Sequence, residues 1–362
     1  MILENWFPQN IAYVFNPNHN KIEDELSNYC LEIKEKDNEL HQKNWVSKTY
    51  NKSILGVHKF YELNKWVEQQ VNQYIMVNGI INGKQTNQVA ELTALIKAYE
   101  ILEKGGSSLD AVELAVSMME DSPLFNAGRG SVYNSDEVQE MDASIMDGKN
   151  RLTGAVASVS IVKNPIKLAR KVAEETKHVL LVGEGAERFA KDIGVDIVKR
   201  NYFYHEERLK RLNNSKRKTS KLNEDSDKIG TVGAVALDKN GNISAATSTG
   251  GMTNKMPGRV GDSPIVGSGT WAQNGVCGVS STGHGEFFIK YQVAREVCVR
   301  IEYLNQNLSD SAESIINELN DLKASGGLIS IDHKGNISTP FNTKGMIRGS
   351  QTNKTNLVSK IY

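Results

Sequence analysis

"DKIGTVGAVALDKNGNISAATST", residues 227–249, is the stretch on which the fold turns. A polar, charged run stops at Gly230–Thr231, and from Val232 to Leu237 small and apolar residues follow in strand fashion. Lys239-Asn240-Gly241-Asn242 reads as a hairpin turn, since Asn-Gly supplies the positive φ such turns require, and Ile243–Thr249 reads as the returning strand. Threonine is an ordinary strand residue. If the chain were cut before Thr231, however, the new terminus would carry an amine and a hydroxyl on one residue, a nucleophile with its own base.

Outward from this hairpin the pattern is blocks of helix and short strand. "NQVAELTALIKAYEILEKGG" (87–106) predicts a helix closed by Gly105 and Gly106, and "SSLDAVELAVSMMEDSP" (107–123) a second with Ser108 as N-cap. "TGAVASVSIV", "HVLLVG" and "GVCGVSSTG" read as strands. "NPIKLARKVAEET" is a helix with Pro165 in its first turn. "EGAERFAKDIG" reads as a helix, "HGEFFIKYQVAREVCVRIEYL" (284–304) as one long helix, and "GGLISIDHKGNISTPFNT" as a final hairpin. Several hairpins with helices in blocks predict an α+β protein of layered antiparallel sheets with helices outside. Residues 205–229 are polar and predict a solvated or disordered linker. Residues 1–75 differ in texture, aromatic and Asn/Lys-rich with almost no glycine, and predict amphipathic helices at 20–37 and 58–75.

The chain has 362 residues and no formal net charge, which gives no electrostatic case for nucleic acid or an anionic membrane. No apolar run reaches the length that spans a bilayer. Three cysteines without C-x-x-C argue against a disulfide framework and a zinc ribbon and favour a reducing compartment. With a first segment unlike a secretory signal, the expectation is a cytoplasmic protein.

Three clusters of hydroxyl residues and glycines carry chemistry: "ATSTGGMTNK" (246–255), "PGRVGDSP" (257–264) and "SSTGHGEF" (280–287). Each lies where a strand runs into a loop, and glycines there let backbone N–H groups approach a ligand. Arg259 can bind a carboxylate with two parallel hydrogen bonds and Asp262 can hold an ammonium, so the pair would fit the head of an amino acid; a surface salt bridge is the alternative. His284 reads as a bystander, and the other histidines show no metal-ligand spacing.

From about residue 86 to 348 the chain resembles the plant-type L-asparaginase / isoaspartyl peptidase family of N-terminal-nucleophile hydrolases. The likeness rests on "PLFNAGRGSVYN", "MDASIMDG", "NPIKLARKV", "HVLLVGEGAERFA", "GTVGAVALD", "ATSTGGMTNKMPGRVGDSPIVGSGT", "STGHGEFF" and "PFNTKGM", in the family's order. It implies a four-layer αββα sandwich with an extra N-terminal helical segment (1–75), an α-subunit region (76–230) and a β-subunit region (231–362). It implies hydrolysis of L-asparagine and β-aspartyl dipeptides after self-cleavage between Gly230 and Thr231. Thr231 matches the nucleophile, Thr249 its supporting hydroxyl, Thr282 and Gly283 the oxyanion hole, and Asn126 an active-site asparagine. Arg259 and Asp262 match the pair gripping the substrate's α-carboxylate and α-amino groups, and Gly283 and Gly285 match backbone contacts to substrate. The main-chain carbonyls of Met119, Glu120, Ser122, Phe125, Ala127 and Arg129 match a structural sodium loop. No catalytic cofactor is implied. The expected partners are a small-molecule or dipeptide substrate and a second copy, as a homodimer of cleaved α/β heterodimers, with no nucleic acid and no membrane.

The chain departs from the family at one place. No His-Gly-Gly precedes the helix at 87, and "YIMVNGIING" (74–83) stands there instead. Two alternatives stay open on this reading: a glycosylasparaginase-like amidase, against which Gly230 argues, and an uncleaved, catalytically silent relative. Residues 3–75 weakly resemble the opening of phage-type 2-oxoglutarate/iron(II) oxygenases, without the metal-binding part of such enzymes.

Overall fold

The computed structural model describes residues 83–217, 230–355 and 357–362. The helices expected at 20–37 and 58–75, the glycine stretch up to residue 82 and the second half of the polar linker lie outside them. Two units divide the chain at Thr86, and the architecture below is that of Asn87–Tyr362.

Helix α1 (Gly83–Glu103) ends as its sequence predicts: Gly105 is left-handed (φ +85°) and the Gly106 N–H donates to the Ile101 carbonyl at 2.8 Å. Helix α2 (Ser108–Asp121) is capped one residue before the predicted serine. Ser107 Oγ accepts the Asp110 N–H at 3.1 Å, whereas Ser108 is buried and its hydroxyl meets that of Ser244 at 2.8 Å. Adjacent serines give the same local signal, and burial decides between them.

Strands β1 (Met141–Asp147), β2 (Leu152–Val159), β3 (Leu180–Val182), β4 (Val232–Leu237) and β5 (Ile243–Thr249) form one sheet in the order β3-β2-β1-β5-β4. All its pairings are antiparallel except β2 with β3. Strands β6 (Thr270–Gln273), β7 (Cys277–Gly283), β8 (Gly326–Asp332) and β9 (Ile337–Ser338) form a second, antiparallel sheet. A short hairpin, β10 (Arg348–Ser350) with β11 (Val358–Lys360), follows.

Three cores define four layers. Val116, Ile166 and Leu168, from α2 and α3 (Pro165–Glu175), pack on Ile145 and Val156 of the first sheet. Met146, Ile243, Ala245 and Ala272 fill the space between the sheets. Phe288, Val297, Ile315 and Leu319 pack behind Val279 and Leu328 of the second sheet. The result is the αββα sandwich of the α+β class.

Three expectations need correction. The linker expected from 205 begins instead as a helix, α5 (Glu206–Arg217), after α4 (Gly183–Asp192). Leu212 is fully buried, and buried Arg208 donates from Nε to the Gly130 carbonyl at 3.1 Å. The surrounding charges mask this one-sided spacing in the sequence.

The long helix expected at 284–304 is two, α6 (Gly285–Tyr291) and α7 (Val293–Leu304), broken at left-handed Gln292 (φ +49°). Tertiary bonds replace the helical ladder there: the Arg295 and Ala294 N–H groups donate to the Gly267 (2.8 Å) and Ser268 (3.1 Å) carbonyls. Gln292 Nε2 also donates to Ser268 Oγ at 3.0 Å.

Finally, Cys277 of β7 and Cys298 of α7 are disulfide-bonded, with Cα atoms 5.7 Å apart. Cysteine counting misses a pair that meets only because α7 packs on β7. The case for a reducing compartment drawn from free thiols falls with it.

Candidate active site

Thr231 stands just before β4, opposite the end of β5. Its Oγ1–H donates to Thr249 Oγ1 at 3.1 Å. Thr249 is buried, and its Oγ1 also accepts the Gly251 N–H at 3.0 Å. Both acceptor sites of Thr249 are thereby filled, and the lone pairs of Thr231 Oγ1 stay free for attack. A Cβ built on Gly230 would lie 3.3 Å from Thr282 Oγ1, so the residue before Thr231 sits against the end of β7.

Behind these threonines is Asn126. Its Nδ2 donates to the Gly251 carbonyl at 2.7 Å, its Oδ1 accepts the Val132 N–H at 3.0 Å, and its own carbonyl accepts the Gly250 N–H at 2.9 Å. Asn126 thus shapes the loop that leaves β5, and among the described residues it makes no hydrogen bond to Thr231. A side chain on Gly250 would collide with Asn126 Oδ1, at 2.5 Å. Gly283, next to Thr282, has no room for a side chain against Phe288 and the Ser325 carbonyl (both at 2.5 Å).

Arg259, Asp262 and Gly285 form a second group. A Cβ on Gly285 would lie 2.9 Å from Arg259 Nη2 and 3.0 Å from Asp262 Oδ1, so glycine is what lets all three meet. Asp262 is 5% exposed and its Oδ2 has no hydrogen-bond partner among the described residues. Burial pushes its carboxyl up to about 7, against the pull of its own backbone N–H and of the Arg259 guanidinium. An unpaired buried carboxylate of this kind suits an incoming ammonium. Gly251 links the two groups: its N–H bonds Thr249, and a Cβ on it would lie 3.5 Å from Arg259 Nη1.

Two residues at the site are not apparent from sequence. Glu286 Oε1 fills the Arg259 fork, accepting from Nε (3.0 Å) and Nη2 (2.8 Å). Partial burial opposes its ionisation, but the Arg259 hydrogen bonds hold its carboxyl below the usual range. The adjacent "HGE" is the signal that could have found it. Lys255 is buried beside Gly251, in a loop whose sequence gives no hint that a lysine would point inward. His284 Nδ1 accepts the Ser325 N–H at 3.3 Å.

Of the six carbonyls, those of Met119 and Glu120 belong to the last turn of α2, and those of Ser122, Phe125, Ala127 and Arg129 to the loop that follows it. A side chain on Gly128 would overlap the Glu120 carbonyl oxygen, and one on Gly130 the Phe125 and Pro123 carbonyl oxygens. Glycine at both positions is what lets the loop backbone pack this closely on the end of α2. The Met119 and Ala127 carbonyls accept N–H groups of Ser122 (3.2 Å) and Gly130 (3.1 Å), and the exposed Arg129 lies with its guanidinium 5.6 Å from the Tyr202 ring centre. Among the described residues no His/Cys/Asp/Glu cluster could hold a metal ion, and no helix is long and apolar enough to cross a membrane.

Comparison with known proteins matches residues 70–359 to the asparaginase family. The chain is 45% identical over 274 residues to the isoaspartyl peptidase of Escherichia coli K12, covering 73% of this chain and 85% of that protein. It is 48% identical to the isoaspartyl peptidase of Salmonella typhimurium (73% and 88% covered) and 45% identical to the mouse isoaspartyl peptidase/L-asparaginase (73% and 82% covered). The oxygenase likeness of residues 3–75 is not borne out.

Proposed function

The chain belongs to the asparaginase family, and from that premise we propose how its residues divide the work of an amidohydrolase acting on L-asparagine and β-aspartyl peptides. The observation that carries the reading is the Thr231–Thr249 hydroxyl pair, 3.1 Å apart, with Gly230 set against Thr282.

Thr231 Oγ first attacks the Gly230 carbonyl. The Gly230–Thr231 amide becomes an ester, water hydrolyses it, and Thr231 gains a free α-amine. Before cleavage that nitrogen is an amide without a basic lone pair. Afterwards it is an amine whose reference pKa, roughly 7.7–8.0, lets it accept the hydroxyl proton near neutrality.

In turnover, Arg259 and Asp262 hold the substrate's α-carboxylate and α-ammonium, and the side-chain amide carbonyl lies toward Thr231. The alkoxide of Thr231 adds to that carbonyl. Thr282 Oγ1 and the Gly283 N–H receive the developing oxyanion, and the amine passes its proton to the departing ammonia or peptide amine. Water then releases aspartate from the acyl-enzyme by the same route reversed. Removing one oxyanion donor typically costs about 10²–10³ in rate.

The α-carboxylate must displace or share the fork that Glu286 occupies. On the family likeness, Na⁺ would be held by the main-chain carbonyls of Met119, Glu120, Ser122, Phe125, Ala127 and Arg129 and would brace the loop that carries Asn126. A homodimer of cleaved heterodimers completes the proposal, on the family likeness. The test is mass spectrometry of purified protein together with ammonia release from L-asparagine. A fragment beginning Thr-Val-Gly-Ala and ammonia in step with it are expected; an intact chain and no ammonia after long incubation at neutral pH would favour the silent relative.

A further inference from the structure

The chemistry above leaves one buried hydroxyl beside the substrate clamp unused. Ser144 stands in the middle of β1, wholly buried, opposite Thr247 of β5. Its side chain lies between the two sheets: its Oγ is 2.7 Å from Thr270 Oγ1 of β6. Its Oγ–H donates to the Ser263 carbonyl at 2.5 Å. Ser263 is also wholly buried, and no other donor reaches its carbonyl among the described residues. A polar group between two sheets is costly unless it is bonded, so this serine is where the Ser263 carbonyl finds its partner.

Ser263 follows Asp262 directly. The peptide that joins them is held on a second side by Gly269, where a Cβ would lie 2.5 Å from the Asp262 carbonyl oxygen and 2.7 Å from Ser263 Cα. Gly269 is fixed in turn, its carbonyl accepting the Thr247 hydroxyl (3.1 Å) and the Ser281 N–H (2.8 Å). The Asp262 carbonyl accepts the Ile265 N–H at 2.9 Å, which turns the chain at once. The main chain that carries Asp262 is therefore held between the Ser144 hydroxyl and the Gly269 backbone. The Asp262 side chain adds little anchorage of its own, since Oδ2 has no hydrogen-bond partner among the described residues.

We propose that Ser144 is a positioning residue for Asp262: by holding the Ser263 carbonyl it sets the carboxylate beside Arg259, and so fixes the preference for substrates that carry an α-ammonium. This rests on the reading that Asp262 holds that ammonium.

The test compares L-aspartate with succinate, which has the same two carboxylates and no ammonium, by calorimetry on self-cleaved protein. Ser144→Ala should raise the Kd of L-aspartate about fivefold to tenfold while that of succinate stays within about twofold. The kcat for L-asparagine should stay within about threefold, because Thr231 and Thr282 are untouched. With Asp262→Asn already present, adding Ser144→Ala should shift the Kd of L-aspartate by less than about twofold. Equal weakening of both ligands in Ser144→Ala would mean a general loosening and overturns the proposal, as does an unchanged ratio or a large further loss in the Asp262→Asn background. Should Ser144→Ala fold poorly, Ser144→Cys decides: it keeps the volume with a weaker donor, and it too should weaken L-aspartate more than succinate. A parent protein that binds succinate as tightly as L-aspartate would instead refute the assignment of Asp262 to the ammonium.

Discussion

Thr231 and Thr249 face each other across the β4–β5 edge with their hydroxyl oxygens 3.1 Å apart, and Thr249 also takes the Gly251 N–H. One hydroxyl thus orients that of Thr231 and anchors the loop that leads to Arg259. Thr231→Ala should abolish both self-cleavage and turnover. Thr231→Ser and Thr231→Cys should retain some cleavage but turn over poorly, because without the γ-methyl χ1 is no longer fixed. Thr249→Val should slow turnover by roughly 10²-fold, the scale of a lost preorganised donor or acceptor. Gel densitometry and ammonia release on the same samples separate the two steps; parental hydrolysis by Thr231→Ala would refute the nucleophile assignment.

Arg259→Lys keeps the charge but loses the planar fork. KM for L-asparagine should rise about tenfold or more, with self-cleavage intact. Glu286→Gln should change KM by less than about fivefold, toward tighter binding, because the Glu286 side chain is 53% exposed and an ion pair so placed is weak. A parental KM for Arg259→Lys would remove Arg259 from the carboxylate subsite.

What the sequence made legible was what local chemistry decides. The hairpin about Asn240-Gly241 forms as read, with Gly241 at φ +79°, and the Gly105–Gly106 stop likewise. Thr231, Thr249 and Thr282 come together, as do Arg259, Asp262 and Gly285, because each lies on a strand end or loop that the two sheets bring to one edge. What was not legible depends on distant partners. Gln292 breaks a helix because Gly267 and Ser268 offer carbonyls, Cys277 finds Cys298 across a helix–sheet contact, and Lys255 turns inward to the Glu140 carbonyl. No window of sequence contains both halves of any of these.

Asp262 sets a pH dependence on binding. With its carboxyl pushed up to about 7, the ligand-free site loses the negative charge that holds an ammonium as pH falls below that value. KM for L-asparagine should therefore rise as pH drops from about 8 to 6, while kcat falls separately as the Thr231 α-amine, with its reference pKa of roughly 7.7–8.0, takes up a proton and stops acting as base. In Asp262→Asn the KM should be high and flat over this range. A parental KM that does not vary would show Asp262 ionised throughout.

The Cys277–Cys298 bridge closes a loop of 21 residues behind the strand that ends in Thr282 and Gly283. Loop-closure entropy of that size is worth about 3 kcal/mol. Replacing both cysteines by alanine should lower Tm by several degrees, measured by calorimetry with the parent in non-reducing buffer. Equal Tm values for parent and double variant would mean that the bridge adds no net stability.

Glu120 joins three elements from inside the core. Its Oε1 accepts the Ser248 hydroxyl (2.6 Å) and the Ile166 N–H (3.0 Å), tying the end of α2 to β5 and to the start of α3, and its Oε2 has no partner among the described residues. Burial pushes this carboxyl up from 4.5 to about 8, against the pull of those two donors and of Asn164. A carboxyl raised in the folded state favours folding below its unfolded value and loses that contribution as pH climbs through the folded one. The parent's Tm should accordingly fall as pH rises from about 4.5 to about 8 and level off above that. Glu91, raised by burial to about 8, acts in the same direction, so Glu120→Gln should flatten the fall without abolishing it. The neutral amide keeps an acceptor for Ser248 and Ile166 and cannot ionise. A Tm slope in Glu120→Gln as steep as the parent's would mean that Glu120 already carries its charge at neutral pH.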